Sequence, residues 1–290
     1  MKGIILAGGS GTRLLPMTKS VSKQLLNVYD KPMIYYPVVT LMQAGIKNIL
    51  IITKPEDKKN FQNLLGNGKK WGLNFSYQIQ KKPNGIAEAF IISKKFIGNS
   101  NVCLILGDNI FYGSGFENII NFDKNNFSGA KIVSYKVTDP ENYGVINYKK
   151  NNINQIIEKP KSPRSNEIVT GLYFYDNDVI RLAENLTPSK RNELEISDLN
   201  NIYLKEKKLE VLKMSKGMVW LDLGSFDSLL KASQYVSILQ ERQNIQIGCP
   251  EVEALRNKWI NKIKFKEIVK NSPNNSYGNY LRKFINEEIN

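Results

Sequence analysis

Lys2-Gly3-Ile4-Ile5-Leu6-Ala7-Gly8-Gly9-Ser10-Gly11-Thr12-Arg13 is the stretch on which the fold turns. Its first half is apolar without alternation, the pattern of a strand buried on both faces, and such strands belong to parallel sheets covered by helices on each side. Its second half is too rich in glycine to continue the strand and reads as a loop. The same pattern recurs downstream. Lys47–Thr53, Leu73–Gln80 and Asn101–Leu106 read as strands, with helices expected over Met33–Ala44, Glu56–Leu65 and Gly85–Lys95. Strands separated by helices form right-handed crossovers and a parallel sheet. Beyond Gly115–Asn126 the pattern changes. Ala130–Val137, Gly144–Lys149, Ile153–Glu158 and Ile168–Tyr175 read as further strands, partly antiparallel. Helices are expected over Asp176–Asn185 and Glu195–Lys205, and strands over Leu209–Lys213 and Met218–Asp222. From Ser225 the chain reads as mainly helical, with Pro250 and Pro273 as punctuation. The expected architecture is α/β: a doubly wound, mostly parallel, Rossmann-like central sheet over residues 1–224, then a helical C-terminal appendage over 225–290.

Composition narrows the chemistry. The 290 residues are 41% hydrophobic and 23% charged, ordinary for a globular chain. The apolar runs Ile49–Ile52 and Val102–Leu106 are far too short to span a bilayer. The N-terminal run is too short for a signal peptide and lacks a cleavage site. No membrane association and a cytoplasmic location are therefore expected. Two cysteines rule out a disulfide framework; Cys103 reads as core and Cys249, before Pro250, as a loop thiol. There is no histidine, which removes histidine-based acid–base catalysis, His-dependent triads and most zinc sites. Chemistry here has to use carboxylates, Lys, Arg and backbone amides. The net charge of +14 comes from lysines spread along the chain, often beside Asn, as in Lys149-Lys150-Asn151-Asn152. That is general enrichment rather than a stripe with interleaved aromatics, so nucleic acid is not the expected partner. A basic protein does suit a small polyanionic substrate.

Gly8, Gly9 and Gly11 let backbone N–H groups approach phosphates without a Cβ in the way. The loop is not a Walker motif, since no Gly-Lys-Ser/Thr follows. Nor is it a dinucleotide fingerprint, because Leu14 stands where the third glycine would fall. Arg13 and Lys23 flank Pro16 in a stretch that cannot be one long helix. Two cations after a phosphate cradle suit a nucleoside triphosphate. Asp108 stands beyond Gly107 at the end of a strong strand, where ligands collect in open α/β sheets. Asp222 ends another strand after Trp220. Two strand-end carboxylates can share a Mg²⁺ that bridges substrate phosphates; Asp222, close before Gly224-Ser225, equally reads as a helix cap.

Several blocks in register resemble the nucleotidylyltransferases that make sugar nucleotides. They are Leu6-Ala7-Gly8-Gly9-Ser10-Gly11-Thr12-Arg13-Leu14, Pro16, Ser22-Lys23-Gln24-Leu25, Tyr29-Asp30-Lys31-Pro32-Met33-Ile34-Tyr35-Tyr36-Pro37, Leu106-Gly107-Asp108-Asn109-Ile110-Phe111-Tyr112-Gly113, Glu158-Lys159-Pro160, Thr170-Gly171-Leu172-Tyr173-Phe174-Tyr175-Asp176 and Trp220-Leu221-Asp222. The likeness runs from Met1 to the last helix and is strongest to the branch that transfers a thymidylyl group. It implies the family's nucleotidyltransferase fold, transfer of dTMP from dTTP to glucose 1-phosphate with release of pyrophosphate, and a first step towards dTDP-rhamnose and other deoxysugars for polysaccharides. A uridylyl- or cytidylyltransferase on a related sugar 1-phosphate, and a non-catalytic sugar-nucleotide sensor, remain open.

The resemblance also implies roles residue by residue. Arg13 and Lys23 serve the phosphates, and Asp108 and Asp222 serve Mg²⁺; these four form the catalytic set. Leu6, Gly8, Gly9, Ser10, Gly11, Thr12, Arg13, Lys23 and Asp108 contact the nucleotide. Gln80 reads the pyrimidine edge, Gly85 approaches it through its backbone and Pro83 closes the pocket. Asn109, Tyr143, Gly144, Glu158, Val169, Gly171 and Trp220 line the sugar pocket, with Lys159 and Arg191 as candidates for the sugar phosphate. Read alone, Glu158-Lys159 is an ordinary exposed charged pair. A homo-oligomer, most plainly a homotetramer, with an allosteric dTDP-sugar near the C-terminal region is implied as well. Glu88, Asn192, Leu223, Ser225, Phe226 and Leu15 depart from the common pattern: glutamine is usual at 88 and glycine at 192.

Overall fold

The structure, a computed structural model, describes residues 1–124 and 126–288. Among the described residues thirteen strands occur in the order β1 Lys2–Ala7, β2 Asn27–Val28, β3 Lys31–Pro32, β4 Asn48–Thr53, β5 Asn74–Ile79, β6 Val102–Leu106, β7 Asn109–Tyr112, β8 Ala130–Lys136, β9 Gly144–Lys149, β10 Asn152–Glu158, β11 Glu167–Tyr175, β12 Leu209–Lys213 and β13 Val219–Asp222. The helices are α1 Tyr35–Gln43, α2 Lys58–Leu65, α3 Glu88–Ile92, α4 Lys94–Ile97, α5 Phe116–Ile120, α6 Val179–Glu184, α7 Ile196–Lys205, α8 Phe226–Gln243, α9 Pro250–Arg256, α10 Lys262–Lys270 and α11 Ser276–Glu288.

Nine strands form one sheet. Its spine runs β10-β9-β11-β6-β1-β4-β5, with β8 pairing β11 and β12 pairing β8. β1, β4, β5 and β6 are parallel. The antiparallel half begins where β11 joins β6 and continues through β8, β9 and β10. The sheet is thus mixed, parallel where the early βα pattern predicts it and antiparallel in the second half except at its edge, where β12 pairs β8 in parallel. Both faces are covered, and the pleat shows it. Ile5, Ala7, Ile49, Ile51, Cys103 and Ile105 enter one core, while Ile4, Leu50, Ile52, Val102 and Leu104 enter the other. Burying such a side chain is worth about 1.5–3 kcal/mol, so an unbroken apolar run is the cheapest way to fill two cores from one strand.

The C-terminal helices are not a detached appendage. Val252, Phe265, Val269, Leu281 and Phe284 belong to the same core as Ile5 and Val38. Ile238 and Ile263 remain 58% and 78% exposed. Cys249 stands in the loop before α9, as expected, and is buried there within 3.3 Å of the Tyr277 hydroxyl. Some helices start late because the backbone before them is tied elsewhere. Ala87 N–H donates to Leu194 O and Leu194 N–H to Asn84 O, so α3 begins only at Glu88. Likewise Ile34 N–H donates to Gln24 O ahead of α1.

Candidate active site

The loop after β1 turns at Gly11, whose φ of 66° is left-handed, and Thr18 Oγ1 donates to its carbonyl at 2.8 Å. Thr12–Leu14 and Lys23–Leu25 are single turns rather than one helix, as Pro16 requires. This fold-back places Lys23 against Asp108, with which it forms an ion pair.

A pairing that sequence reasoning missed completes the acidic part. Asn109–Tyr112 is a strand, and it pairs antiparallel with β13 so that Asp222 lies opposite Asn109. The Leu223 N–H donates to Asp108 O at 3.0 Å. Two carboxylates more than a hundred residues apart are thereby brought side by side. The cap of α8 is Ser225, whose hydroxyl accepts from Ser228 N–H at 3.2 Å, so the helix does not need Asp222. The Arg13 guanidinium lies against Gly224, within the reach of a Cβ placed there.

The electrostatics of the pair are asymmetric. Burial pushes Asp108 up, but the Lys23 charge and hydrogen bond outweigh it and hold the carboxyl below its usual range. Burial opposes the Lys23 ammonium too, and Asp108 more than restores it. Asp222 has no such close partner; burial and the neighbouring Asp108 charge push it up to about 6. Two buried carboxylates, one of them ill-compensated, form a donor set that a divalent cation fits. Among the described residues no third His, Cys, Asp or Glu joins them, so a divalent cation held by this pair would keep open positions.

From this acidic end a cavity of about 410 Å³ opens, lined by Arg13, Asp108 and Asp222 and by Asn109, Tyr143, Gly144, Glu158, Lys159, Val169, Gly171 and Trp220. Every residue expected to meet the sugar, except Arg191, is on this wall. Asn109 is its keystone: 1% exposed, its Oδ1 accepts from Gly171 N–H at 3.1 Å and Trp220 Nε1 at 2.6 Å. Glu158 is no ordinary exposed pair with Lys159. Its Oε2 accepts from Ser197 Oγ at 2.6 Å, and burial raises its pKa despite that bond. Lys159 adopts a left-handed φ of 44°, held by its N–H donating to Tyr143 O at 2.9 Å. Such backbone costs about 1–3 kcal/mol and persists at functional sites. Arg191 stands among Glu158, Glu193 and Glu195 at 3.7, 3.1 and 3.4 Å. Lys159 has no ion pair among the described residues, whereas Arg191 is held by three carboxylates. Ser197 gave no sequence signal, since a serine opening a helix is usually only a cap.

Of the expected base-reading residues, Gln80 lies against the glycine loop and its amide Nε2 donates to Gly85 O. Gln80, directly after β5, is 3% exposed and packs on Gly8. Gly85 crosses Leu194 too closely for a Cβ, at φ 107°. Pro83 is exposed in the connecting loop. Of the departures, Leu15 and Phe226 are exposed and Leu223 is buried. Asn192 takes the left-handed backbone, φ 57°, that a glycine would.

A cleft lined by Arg13, Lys159, Asp108 and Asp222, beside a glycine loop that follows the first strand, suits an enzyme that transfers a nucleotidyl group. The nucleotidyl transferase family model matches residues 2–237, and the chain belongs to that family. Within it, the chain is 50% identical over 286 residues to the glucose-1-phosphate thymidylyltransferase of Neisseria meningitidis, covering 98% of this chain and 99% of that one. The enzyme of the same name from Mycobacterium tuberculosis is 47% identical over 286 residues, 98% and 99% of the two chains. Among solved structures, a putative glucose-1-phosphate thymidylyltransferase from Bacillus anthracis superposes with a TM-score of 0.75 at 44% identity, covering 81% of this chain and 94% of that one. No helix among the described residues is long and apolar enough to cross a membrane.

Proposed function

We propose that the protein transfers dTMP from dTTP to glucose 1-phosphate, giving dTDP-glucose and pyrophosphate. The observation that supports this reading is the β7–β13 pairing, which sets Asp108 and Asp222 close to Arg13 and Lys23 at one end of the cleft that Glu158 and Lys159 also line. A phosphate oxygen of glucose 1-phosphate attacks the α-phosphorus of dTTP in line. The bond to the bridging oxygen breaks, and pyrophosphate departs with the electron pair. The attacking oxygen is already anionic at neutral pH, so no general base is needed and the absence of histidine is no obstacle. Catalysis is positioning and charge neutralisation. Arg13 neutralises the departing pyrophosphate and Lys23 the region of the α-phosphate. Gln80, Gly85 and Pro83 hold the base, and Gly8 to Thr12 the triphosphate. Tyr143, Gly144, Glu158, Val169 and Gly171 hold the glucose, shaped by Asn109 and Trp220, with Lys159 on its phosphate. Asp108 and Asp222 would hold Mg²⁺, which supplies positive charge to the phosphates when bound.

Residues 225–290 are the proposed oligomerisation and regulatory region of a homotetramer. A second cavity, of about 190 Å³, lies between α1 and this region and is lined by Tyr36, Phe111, Gly248, Glu253 and Arg256 among others; a regulatory dTDP-sugar is proposed to bind near this region, and the cavity would have to widen to take it whole. The catalytic reading is tested by pyrophosphate release across four nucleoside triphosphates and several sugar 1-phosphates, with and without Mg²⁺. Highest kcat/KM for dTTP with glucose 1-phosphate is expected. Preference for UTP or CTP, or turnover without metal, overturns it.

A further inference from the structure

Gln80 is fixed in one amide orientation. Its Nε2 donates to Glu88 Oε2 at 2.7 Å and to Gly85 O at 3.3 Å. Both partners can only accept: one is a backbone carbonyl and the other a carboxylate. The two hydrogens of Nε2 are therefore spent, and a rotation of the amide by 180° would set Oε1 against two acceptors. Glu88 is itself held, because Asn84 Nδ2 donates to its Oε1 at 2.8 Å. At the other end of the amide, Gln80 Oε1 faces Gly8 so closely that a Cβ there would collide with it. No group among the described residues donates to that oxygen, in a residue that is 3% exposed. A carbonyl oxygen beside the glycine loop, with its amide nitrogen locked away, is left to accept from a ligand.

We infer that Glu88 is a positioning residue for base specificity: it locks Gln80 so that the nucleotide pocket offers the base a hydrogen-bond acceptor and no donor. The inference rests on the proposed nucleotidyl transfer and deepens it. Thymine and uracil carry N3–H, a donor, at their pairing edge. Cytosine carries an unprotonated N3, an acceptor, and would face Oε1 lone pair to lone pair. The lock thus selects keto-pyrimidines and rejects cytosine, and it does not separate thymine from uracil. A glutamine at 88 could point either end of its amide at Gln80 and would leave both orientations open. The glutamate removes that ambiguity, which gives this departure from the common pattern a physical purpose.

The test compares the intact enzyme with Glu88→Met, which keeps the length of the side chain and loses the acceptor, and with Glu88→Gln. Only the longer contact to Gly85 O would then hold the amide, and 3.3 Å is beyond the usual N–H···O range. Initial rates with dTTP and dCTP, and calorimetric binding of each, are measured on folded protein confirmed by its melting transition. In Glu88→Met the ratio of kcat/KM for dTTP over dCTP should fall ~10-fold or more, corresponding to about 1.4 kcal/mol, because dCTP improves while dTTP weakens. Glu88→Gln, whose Oε1 can still accept, should lie between the two. A purely structural role for Glu88 would weaken both nucleotides together and leave the ratio where it was; that result, in both variants, overturns the inference. An unsubstituted enzyme that does not use dTTP would instead overturn the function itself.

Discussion

The two ends of the cleft are held by different forces. At the phosphate end charges hold one another: Lys23 against Asp108, with Arg13 and Asp222 close by. At the sugar end hydrogen bonds to backbone and to single side chains fix the geometry: Asn109 to Gly171 and Trp220, Ser197 to Glu158, Lys159 to Tyr143. The first end can rearrange, since the ion pair between Lys23 and Asp108 has to give way when metal and triphosphate compete for its members. The second is preorganised and has little to rearrange. Charge substitutions should therefore act on the chemical step, and hydrogen-bond substitutions on binding and stability.

The largest effect should come from the acidic pair. Asp108→Asn and Asp222→Asn keep shape and remove charge. Each should lower kcat by ~10² or more, as removal of electrostatic groups of similar role does. Steady-state rates at saturating Mg²⁺ check this. Rates near those of the unsubstituted enzyme in both variants would show that the phosphate end is not where the metal acts, and the contrast between the two ends would lose its basis.

Next is Asn109. Asn109→Ala removes one oxygen and strands two buried donors, Gly171 N–H and Trp220 Nε1–H. An unsatisfied buried donor costs about 1–3 kcal/mol. The expected outcome is a lowered melting temperature and a KM for glucose 1-phosphate raised ~10-fold, with kcat the less affected parameter. Calorimetry and kinetics with varied sugar phosphate separate the two. A loss confined to kcat would place Asn109 with the phosphate end instead.

How much of this was legible in the sequence also divides along the cleft. The parallel half of the sheet could be read directly, because β1, β4 and β6 are apolar runs and two cores need both faces of each strand. The glycine loop, Arg13 and Lys23 lie within one local segment, and their types announce phosphate chemistry. The sugar end is assembled from β9, β10, β11 and α7, whose residues meet only through antiparallel pairing. Ser197 looks like any helix-opening serine until the pairing brings Glu158 to it. The pairing of β7 with β13 was equally hidden. Asn109–Tyr112 follows β6 after a two-residue turn and gives no periodic signal of its own, so Asp108 and Asp222 could be chosen as ligands by type and position but not seen as neighbours. Glu88 was visible as a departure, while its consequence needed the direction of one amide.

The smallest effect expected concerns Glu158 and pH. Its carboxyl is raised first by burial and then by the nearby Glu195 charge, against the Ser197 hydroxyl, Lys159 and Arg191, which favour the anion. As an acceptor for sugar hydroxyls the group works best ionised. When pH falls through its raised pKa, one acceptor oxygen becomes a donor, and KM for glucose 1-phosphate should climb at a higher pH than an ordinary glutamate would dictate. Ser197→Ala removes the 2.6 Å bond that stabilises the anion, so the inflection should move to still higher pH. The sign for stability follows. A raised carboxyl pKa means that ionisation costs the folded state, and the lost Ser197 bond adds to that cost only while Glu158 is charged. Ser197→Ala should thus destabilise more at neutral than at acidic pH, whereas Glu158→Gln should flatten the KM profile altogether. Melting transitions and KM measured across pH would decide it. A KM profile that Ser197→Ala leaves in place would mean that the hydroxyl merely fills space, and that the sugar end is held by Asn109 and the backbone alone.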